Sequence, residues 1–194
     1  MDAYLQLQPY LRPNERMLWC GRPDPRVWFT PADAFMIPFS ILWGGFAIFW
    51  EVGVSGGPIF AVIWGIPFVA IGLYMIFGRF FYKHYRKKRT CYGITDQRAL
   101  VAIGPGFPTD SPLRDQPITA RRSRDGRHAT VIIGTVTTGL RRAGGYHASG
   151  SFYANTGLEL LARHTALPIA FYDVEDVDAM LSAMDQARGP QLAT

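Results

Sequence analysis

Cysteine and histidine are scarce in this chain of 194 residues, which contains two cysteines and four histidines. Cys20 and Cys91 lie far apart and outside any CxxC pair, so neither a disulfide framework nor a zinc ribbon is predicted. A reducing compartment is the expected setting, and a bond between these two cysteines is left open. The histidines are at least 17 residues apart and show no HxH or HxxxH spacing, so they predict no metal site. They are His84, His128, His147 and His164.

Motifs that hold phosphates or cofactors are also missing. The glycine-rich run RAGGYHASG has no Gly-Lys-Ser/Thr ending and no strand and helix around it, which favours a flexible loop over a nucleotide site. No nucleophile, base and acid occur together at a recognisable spacing. We therefore predict no catalytic residue and no cofactor.

Lysine is absent except at three positions between 83 and 88, and acidic residues are absent from 52 to 89. Elsewhere the charges nearly cancel, with four arginines against four acids in residues 1–50 and ten against ten in residues 90–194. The net charge of +5 therefore comes from one stretch, GRFFYKHYRKKR. A nucleic-acid-binding protein more often spreads its cations over a folded face, so we expect no nucleic-acid partner.

Two long segments contain no charged side chain. The first, 34–50, has 17 residues, and the second, 52–78, has 27. A hydrocarbon layer about 30 Å thick needs roughly 20 helical residues, so both segments are predicted to span a membrane. A signal peptide would begin near a basic N-terminus, and a soluble core helix of this length would show a polar stripe. Neither alternative fits these segments.

The loop EVGVSGG between the two segments is short and lacks cations. It requires an antiparallel hairpin, and the cations beyond the second segment predict that both termini face the cytoplasm. Pro38 and Pro67 are expected to kink the helices, while four glycines allow the helices to approach closely. These glycines are Gly44, Gly45, Gly65 and Gly72.

The stretch 79–89 is predicted to be a basic juxtamembrane segment. Each cation near anionic headgroups gains about 1 kcal/mol, although the same residues also serve as a plain topology signal. Aromatic residues at Trp50 and Tyr82 are expected at the membrane interfaces. The predicted membrane-interface residues are Arg79, Lys83, Arg86, Lys87, Lys88, Arg89, Trp50 and Tyr82.

Short apolar segments separated by turn signals follow residue 89. RTCYGIT and RALVAIG flank Asp96 and Gln97, and PITARRS and ATVIIGTV flank SRDGRH, which predicts two β-hairpins. GPGFPTDSP is predicted to be a loop, and YANTGLELLARH and ALPIAFY are predicted to be strands. The segment DVEDVDAMLSAMDQA is predicted to be an amphipathic helix capped by Asp173.

Arginines cluster in and after the second predicted hairpin. If the fold brings them together, they form a basic patch for anionic lipid or an acidic protein surface. Charged hairpin tips also commonly stay solvated or protect an edge strand. The candidate patch residues are Arg121, Arg122, Arg124, Arg127, Arg141 and Arg142.

These patterns divide the chain into four parts. The first part is rich in proline and is expected to be extended, either along the membrane or paired with the last part. The predicted parts are a cytoplasmic N-terminal segment (1–31), a transmembrane hairpin (32–78, with helices at about 32–50 and 58–78), the basic juxtamembrane segment (79–89) and a cytoplasmic domain (90–194).

Several of these segments together resemble one protein family. ERMLWCGRPDP, a pair of spans ending in GRFF, YGITDQRAL and IAFYDVEDVDAML are similar to the bacterial PH-domain-containing membrane proteins, also called DUF304 proteins. The resemblance covers nearly the whole chain and is weakest over 104–151. It implies a pleckstrin-homology (PH)-like barrel of seven strands in two sheets, closed by the C-terminal helix, and no catalysis. The basic pair of animal phosphoinositide-binding domains is not matched, because the first turn offers only Arg98 beside Asp96.

The sequence thus predicts an α+β membrane protein in which a transmembrane two-helix hairpin precedes a PH-like small β-barrel or sandwich with a C-terminal capping helix. It is expected to be a multi-pass protein of the bacterial inner membrane. Its domain would recruit a protein partner or assist assembly of a membrane complex, with the lipid bilayer and its anionic headgroups as further partners. The alternative is a small membrane enzyme, or an accessory subunit of one, which would require a polar cluster that converges on one cleft.

Overall fold

The structure, a computed structural model, describes residues 2–114, 116–123, 126–134, 155–158 and 169–189. Within these ranges the chain is an α+β protein with two long apolar helices and two small antiparallel sheets. It divides into two compact units. The described residues of the sheet unit lie within 2–27, 85–134 and 169–189, and those of the helical unit lie within 28–84 and 155–158.

The elements are numbered in chain order. The helices are α1 (Ala3–Leu7), α2 (Asp33–Val54), α3 (Ile59–Leu73), α4 (Arg79–Arg89) and α5 (Val177–Arg188). The strands are β1 (Met17–Gly21), β2 (Thr90–Thr95), β3 (Arg98–Ile103), β4 (Thr109–Pro112), β5 (Ile118–Arg122), β6 (Ala129–Ile133) and β7 (Ile169–Val174).

The helical unit is built on the pair formed by α2 and α3, which confirms the two predicted long apolar helices. Their backbones approach closely at two glycines, because a Cβ added to Gly72 would lie 2.8 Å from the Cα of Gly44. Gly45 is not part of this contact, since a Cβ there would meet nothing within 4 Å. Such close packing of small residues is typical of helix pairs in membranes.

Both helices are longer than the sequence predicted. α2 continues to Val54, so that Glu51, expected in the loop, is helical. After α3, one π-helical turn (Tyr74–Gly78) leads directly into α4, and the helix runs from Ile59 to Arg89 without a break. A helix of this length extends beyond a hydrocarbon layer about 30 Å thick, because each residue adds about 1.5 Å.

The sheet unit contains one sheet of four strands, in the order β1-β2-β3-β4, and one of three strands, in the order β5-β6-β7. The predicted hairpins β2–β3 and β5–β6 are confirmed. Between the sheets lies an apolar core in which the rings of Tyr92 and Phe171 stack 4.6 Å apart. α5 contributes Met180 and Met184 to the same core.

The predicted closed barrel is not formed by the described strands. Each sheet ends in two edge strands, which are β1 and β4 in one sheet and β5 and β7 in the other. The two sheets are instead joined by the side chains of the core and by the C-terminal helix, as in a sandwich.

Three further expectations need correction or completion. β4 lies within the predicted loop GPGFPTDSP, where an exposed polar strand pairs with β3 and ends at a proline. β1 pairs with β2, so residues 17–21 of the N-terminal segment take the second of the two expected arrangements, pairing with the last part of the chain. Asp173 does not cap the last helix, because β7 runs through it and α5 begins at Val177.

Candidate functional site

The helical unit exposes large apolar side chains around both long helices. Leu42 and Phe49 of α2 are 74% and 76% exposed, and Phe60 of α3 is 73% exposed. Only 22% of the most apolar stretch of α2, and 17% of that of the second helix, is buried. Core helices of soluble proteins are mostly buried, so these surfaces favour contact with lipid.

An apolar groove of about 260 Å³ lies between α2 and α3. Five aromatic rings, three from α2 and two from α3, form most of its wall. One end of the α2 face carries Glu51, whose Oε2 is buried against Gly65 and has no hydrogen-bond partner among the described residues. The groove is lined by Trp43, Phe46, Ala47, Trp50, Trp64 and Phe68.

Two cations of the basic segment are buried in the helical unit. Arg79 is fully buried and forms an ion pair with Asp33 at the start of α2, and Lys83 lies 4.0 Å from the same carboxylate. The Arg79 side chain also donates to the carbonyl oxygen of Met75 at 2.8 Å, and Lys83 donates to that of Trp28 at 2.9 Å. These contacts pair both charges, which would otherwise be costly to bury, although Arg79 Nη2 has no hydrogen-bond partner among the described residues.

A third cation is buried in the sheet unit. The Lys87 ammonium lies 2.6 Å from the Asp173 carboxylate of β7 and donates to the carbonyl oxygens of Asp24 and Val27. Arg79, Lys83 and Lys87 recur every fourth residue and therefore lie on one face of the helix. Because this face is buried, three of the six cations of the basic segment contact carboxylates of the protein.

The remaining cations of the segment lie at or near the surface. Lys88 and Arg89 are exposed and Arg86 is half-buried. The guanidinium of Arg89 lies over the ring of Tyr85, at 4.3 Å. The predicted interfacial aromatics Trp50 and Tyr82 are exposed and half-buried, respectively. The placement of these aromatics at a lipid interface, and of the exposed cations at lipid headgroups, stays a prediction.

A second buried ion pair stabilises the sheet unit at the start of β3. Arg98 donates two hydrogen bonds to Glu15, at 2.8 and 2.9 Å. This guanidinium lowers the pKa of Glu15 to about 2, against the opposite effect of burial. The backbone N–H of Arg12 and the hydroxyl of Thr95 also donate to the Glu15 carboxylate.

Three groups with metal-binding atoms converge in the sheet unit. They are Asp24 in the segment after β1, His128 just before β6, and Glu175 just after β7. His128 Nε2 lies 3.0 Å from Asp24 Oδ2 and 3.9 Å from Glu175 Oε1. Burial raises the pKa of Asp24, but hydrogen bonds from the Arg26 N–H and from His128 outweigh this effect and lower it overall.

The structure describes half of the predicted basic patch. Arg121 and Arg122 are exposed on the edge strand β5, and Arg127 is exposed beside its turn. Arg122 forms an ion pair of 2.5 Å with Asp178 at the start of α5. Arg124, Arg141 and Arg142 lie outside the described residues.

Both cysteines are free thiols in the sheet unit. Cys91 of β2 is buried and its Sγ lies 2.6 Å from the Gln6 side-chain oxygen, while Cys20 of β1 is half-buried. Burial raises the pKa of both thiols, which makes them weak nucleophiles at neutral pH.

Sequence reasoning missed the buried cations and the converging cluster. The four-residue spacing of positions 79, 83 and 87 was visible in the sequence and could have indicated a buried helix face. No comparable signal exists for the cluster, because Asp24 and His128 are separated by 104 positions.

Searches of protein-family models, curated proteins and solved structures find no match to this chain. The resemblance to bacterial PH proteins therefore stays a prediction, and the geometry of the two units is the basis for assigning a function.

Proposed function

We propose that the protein is a membrane-anchored, non-catalytic binding module. One observation carries the proposal: α2 and α3 present apolar and aromatic side chains on surfaces that the described protein leaves open. Burying an apolar side chain is favourable by about 1.5–3 kcal/mol, so a row of such residues would strongly favour insertion into lipid.

The pairing of β1 with β2 supports a hairpin that enters and leaves on one side. β1 precedes α2 and β2 follows α4, yet the two strands are hydrogen-bonded neighbours. A strand pair cannot form across a bilayer, so the chain between them crosses an even number of times. Two long helices lie in that interval, which favours two crossings.

The charge distribution supports the side on which the sheet unit lies. The connection between the helices, residues 55–58, has no cation, while Lys88 and Arg89 are exposed at the other end of the second helix. Cations are retained on the cytoplasmic side, so both termini are proposed to be cytoplasmic. The resemblance to bacterial membrane proteins favours the inner membrane of a bacterium.

The sheet unit has features of a binding module. Its core is filled by side chains, and among the described strands β5 lies at the edge of its sheet, where Arg121 and Arg122 are exposed. Such an edge can accept a strand from another protein, and Arg121, beside the Arg122–Asp178 ion pair, favours an acidic partner. We assign to this edge the recruitment of a protein partner, in keeping with the PH-like domain that the resemblance implies.

Extraction of the full chain tests the membrane anchor. The protein should stay in the membrane pellet after washing with alkaline carbonate and should be released only by detergent. Recovery of a monodisperse species from a detergent-free supernatant would contradict the anchor.

A photo-crosslinker at Thr119, an exposed position of β5, tests the partner site. In intact cells it should yield one discrete protein adduct, which Arg121→Glu should remove by reversing the charge. The same crosslinker at Thr109, on the exposed edge strand β4, is the matched control and should not give that adduct. An adduct that is equally strong at both positions, or unchanged by the charge reversal, would exclude β5 as the partner site.

A further inference from the structure

Two carboxylates and an imidazole meet at one end of the three-stranded sheet. Asp24 is buried, His128 is mostly buried, and Glu175 is largely exposed. Their nearest ligand atoms all lie within 4.8 Å of one another. Two ionised carboxylates this close together repel each other unless a proton or another positive group lies between them.

A proton on His128 can form a hydrogen bond to only one of the two carboxylates. The ring atom that faces both carboxylates is Nε2, and it carries at most one hydrogen. At 3.0 Å that hydrogen can bond to Asp24, whereas Glu175 at 3.9 Å is too distant for a hydrogen bond. A metal ion between the three atoms would instead bind all of them.

Neighbouring backbone groups orient the Asp24 carboxylate toward His128. Its Oδ1 accepts a hydrogen bond of 2.8 Å from the backbone N–H of Arg26, which leaves Oδ2 directed at His128. The Asp24 backbone is fixed as well, because its N–H donates to the carbonyl oxygen of Asp173 in β7 at 2.8 Å. Such outer contacts hold metal ligands in place in known sites.

We infer that Asp24, His128 and Glu175 bind one divalent transition-metal ion of the Zn²⁺ type. One imidazole nitrogen and two carboxylate oxygens suit Zn²⁺, Mn²⁺ or Fe²⁺, whereas Mg²⁺ and Ca²⁺ prefer oxygen ligands alone. Metal–ligand distances of about 2.0–2.2 Å fit atoms that are separated by 3.0 and 3.9 Å after small side-chain rotations. Glu175 is exposed and can complete the site as the ion enters.

The ion would join three segments that are distant in the sequence. It links the segment after β1, which otherwise meets the sheet here through single hydrogen bonds, to the paired strands β6 and β7 at the start of one and the end of the other. Binding should therefore stabilise the sheet unit, because an ion that binds only the folded state adds its binding free energy to folding.

Zn²⁺ titration of the full chain in detergent, after removal of metals with EDTA, tests the site. Calorimetry should show saturable binding of one ion per chain, and a saturating excess should raise the melting temperature by at least about 3 °C. Mg²⁺ at the same concentration should leave the melting temperature unchanged.

Two substitutions and one control make the test specific. His128→Gln keeps a polar side chain near Asp24 but removes the imidazole ligand, and should weaken binding by about 100-fold. Glu175→Gln should weaken it by at least about tenfold and, as an exposed position, should not impair folding. Asp178→Asn removes the same charge from the neighbouring turn of α5 and should bind Zn²⁺ as the wild type does.

The inference is overturned if the wild type shows no saturable binding up to about 1 mM Zn²⁺. It is also overturned if Glu175→Gln and His128→Gln bind with unchanged affinity and stoichiometry, since Zn²⁺ would then be held elsewhere, for example at the free thiols.

Discussion

Asp33 is the acceptor on which the buried charges of the helical unit depend. It faces Arg79 and Lys83, and its Oδ2 also accepts two hydrogen bonds from Thr30, at 2.6 and 2.8 Å. Arg79 and Lys83 are 0% and 4% exposed, so neither can turn to solvent without disrupting the packing. A carboxylate that neutralises two buried cations is therefore a sensitive position.

Asp33→Asn should destabilise the helical unit by about 3–5 kcal/mol, because the substitution keeps the shape and leaves two buried cations without their anion. Unfolding in mixed detergent micelles measures this loss. Lys88→Ala is the matched control, since Lys88 is exposed on the same helix and its loss should change the free energy of unfolding by less than about 0.5 kcal/mol. Equal effects of the two substitutions would show that the buried pairs are not what stabilises the unit.

Glu15 predicts a pH dependence of stability. Its carboxyl has a folded-state pKa of about 2 against an ordinary value of 4.5, mainly because of the hydrogen bonds from Arg98. A lowered folded-state pKa means that the stabilisation is fully present above pH 4.5 and is lost as the pH falls through about 2. Between pH 6 and pH 2 the loss is on the order of 3 kcal/mol.

Glu15→Gln isolates this contribution from those of the other carboxylates. The wild type should be more stable than the variant at pH 6, and the difference should narrow as the pH approaches 2. Thermal unfolding of both proteins between pH 6 and pH 2 measures this difference in stability. A difference that stays constant with pH would show that Glu15 does not titrate with the lowered pKa.

At the scale of elements, Gly72 sets the distance between α2 and α3. Gly72→Ala should destabilise the helix pair by about 1–3 kcal/mol, because the new Cβ would lie 2.8 Å from the Gly44 backbone, which cannot move aside as a side chain can. Gly45→Ala, next to Gly44 on α2, is the control. It meets nothing within 4 Å and should be neutral or slightly stabilising through higher helix propensity.

Elements with strong local signals were predictable from the sequence. The uncharged segments gave α2 and α3, and the turn at Asp96 and Gln97 gave the β2–β3 hairpin. β1 and β4 were not predictable with the same ease, because both are edge strands whose conformation depends on a partner distant in the sequence. The composition of β4, Thr-Asp-Ser-Pro, is that of a loop.

The contacts of the candidate sites were less predictable than the elements that carry them. Periodicity places Arg79 and Lys83 on one face of a helix, but their common partner Asp33 is 46 positions from Arg79. The sequence therefore shows that a cation face exists and does not show which acid covers it. The same separation in sequence concealed the cluster of Asp24, His128 and Glu175.

At the scale of the whole molecule, the connection between α2 and α3 reports the topology. Ser55 lies exposed at the end of α2. In intact spheroplasts, Ser55→Cys should react with a membrane-impermeant maleimide, because the connection is proposed to face away from the cytoplasm. The wild type, whose two thiols are Cys20 and Cys91, is the blank and should not react. Labelling of Ser55→Cys only after the cells are lysed would reverse the proposed orientation.

In the sequence, β1 precedes the two long helices and the other three strands of its sheet follow them, which has a consequence for biogenesis. β1 is synthesised first, then both helices, and β2 only afterwards, so in the proposed topology β1 has no strand partner until the hairpin is inserted. A chain in which only one helix crossed the membrane would place β1 and β2 in different compartments, and the two strands could not pair. In the proposed topology the β1–β2 pair would thus form only in correctly inserted chains, and the unpaired strand edges of the others would favour their aggregation or degradation.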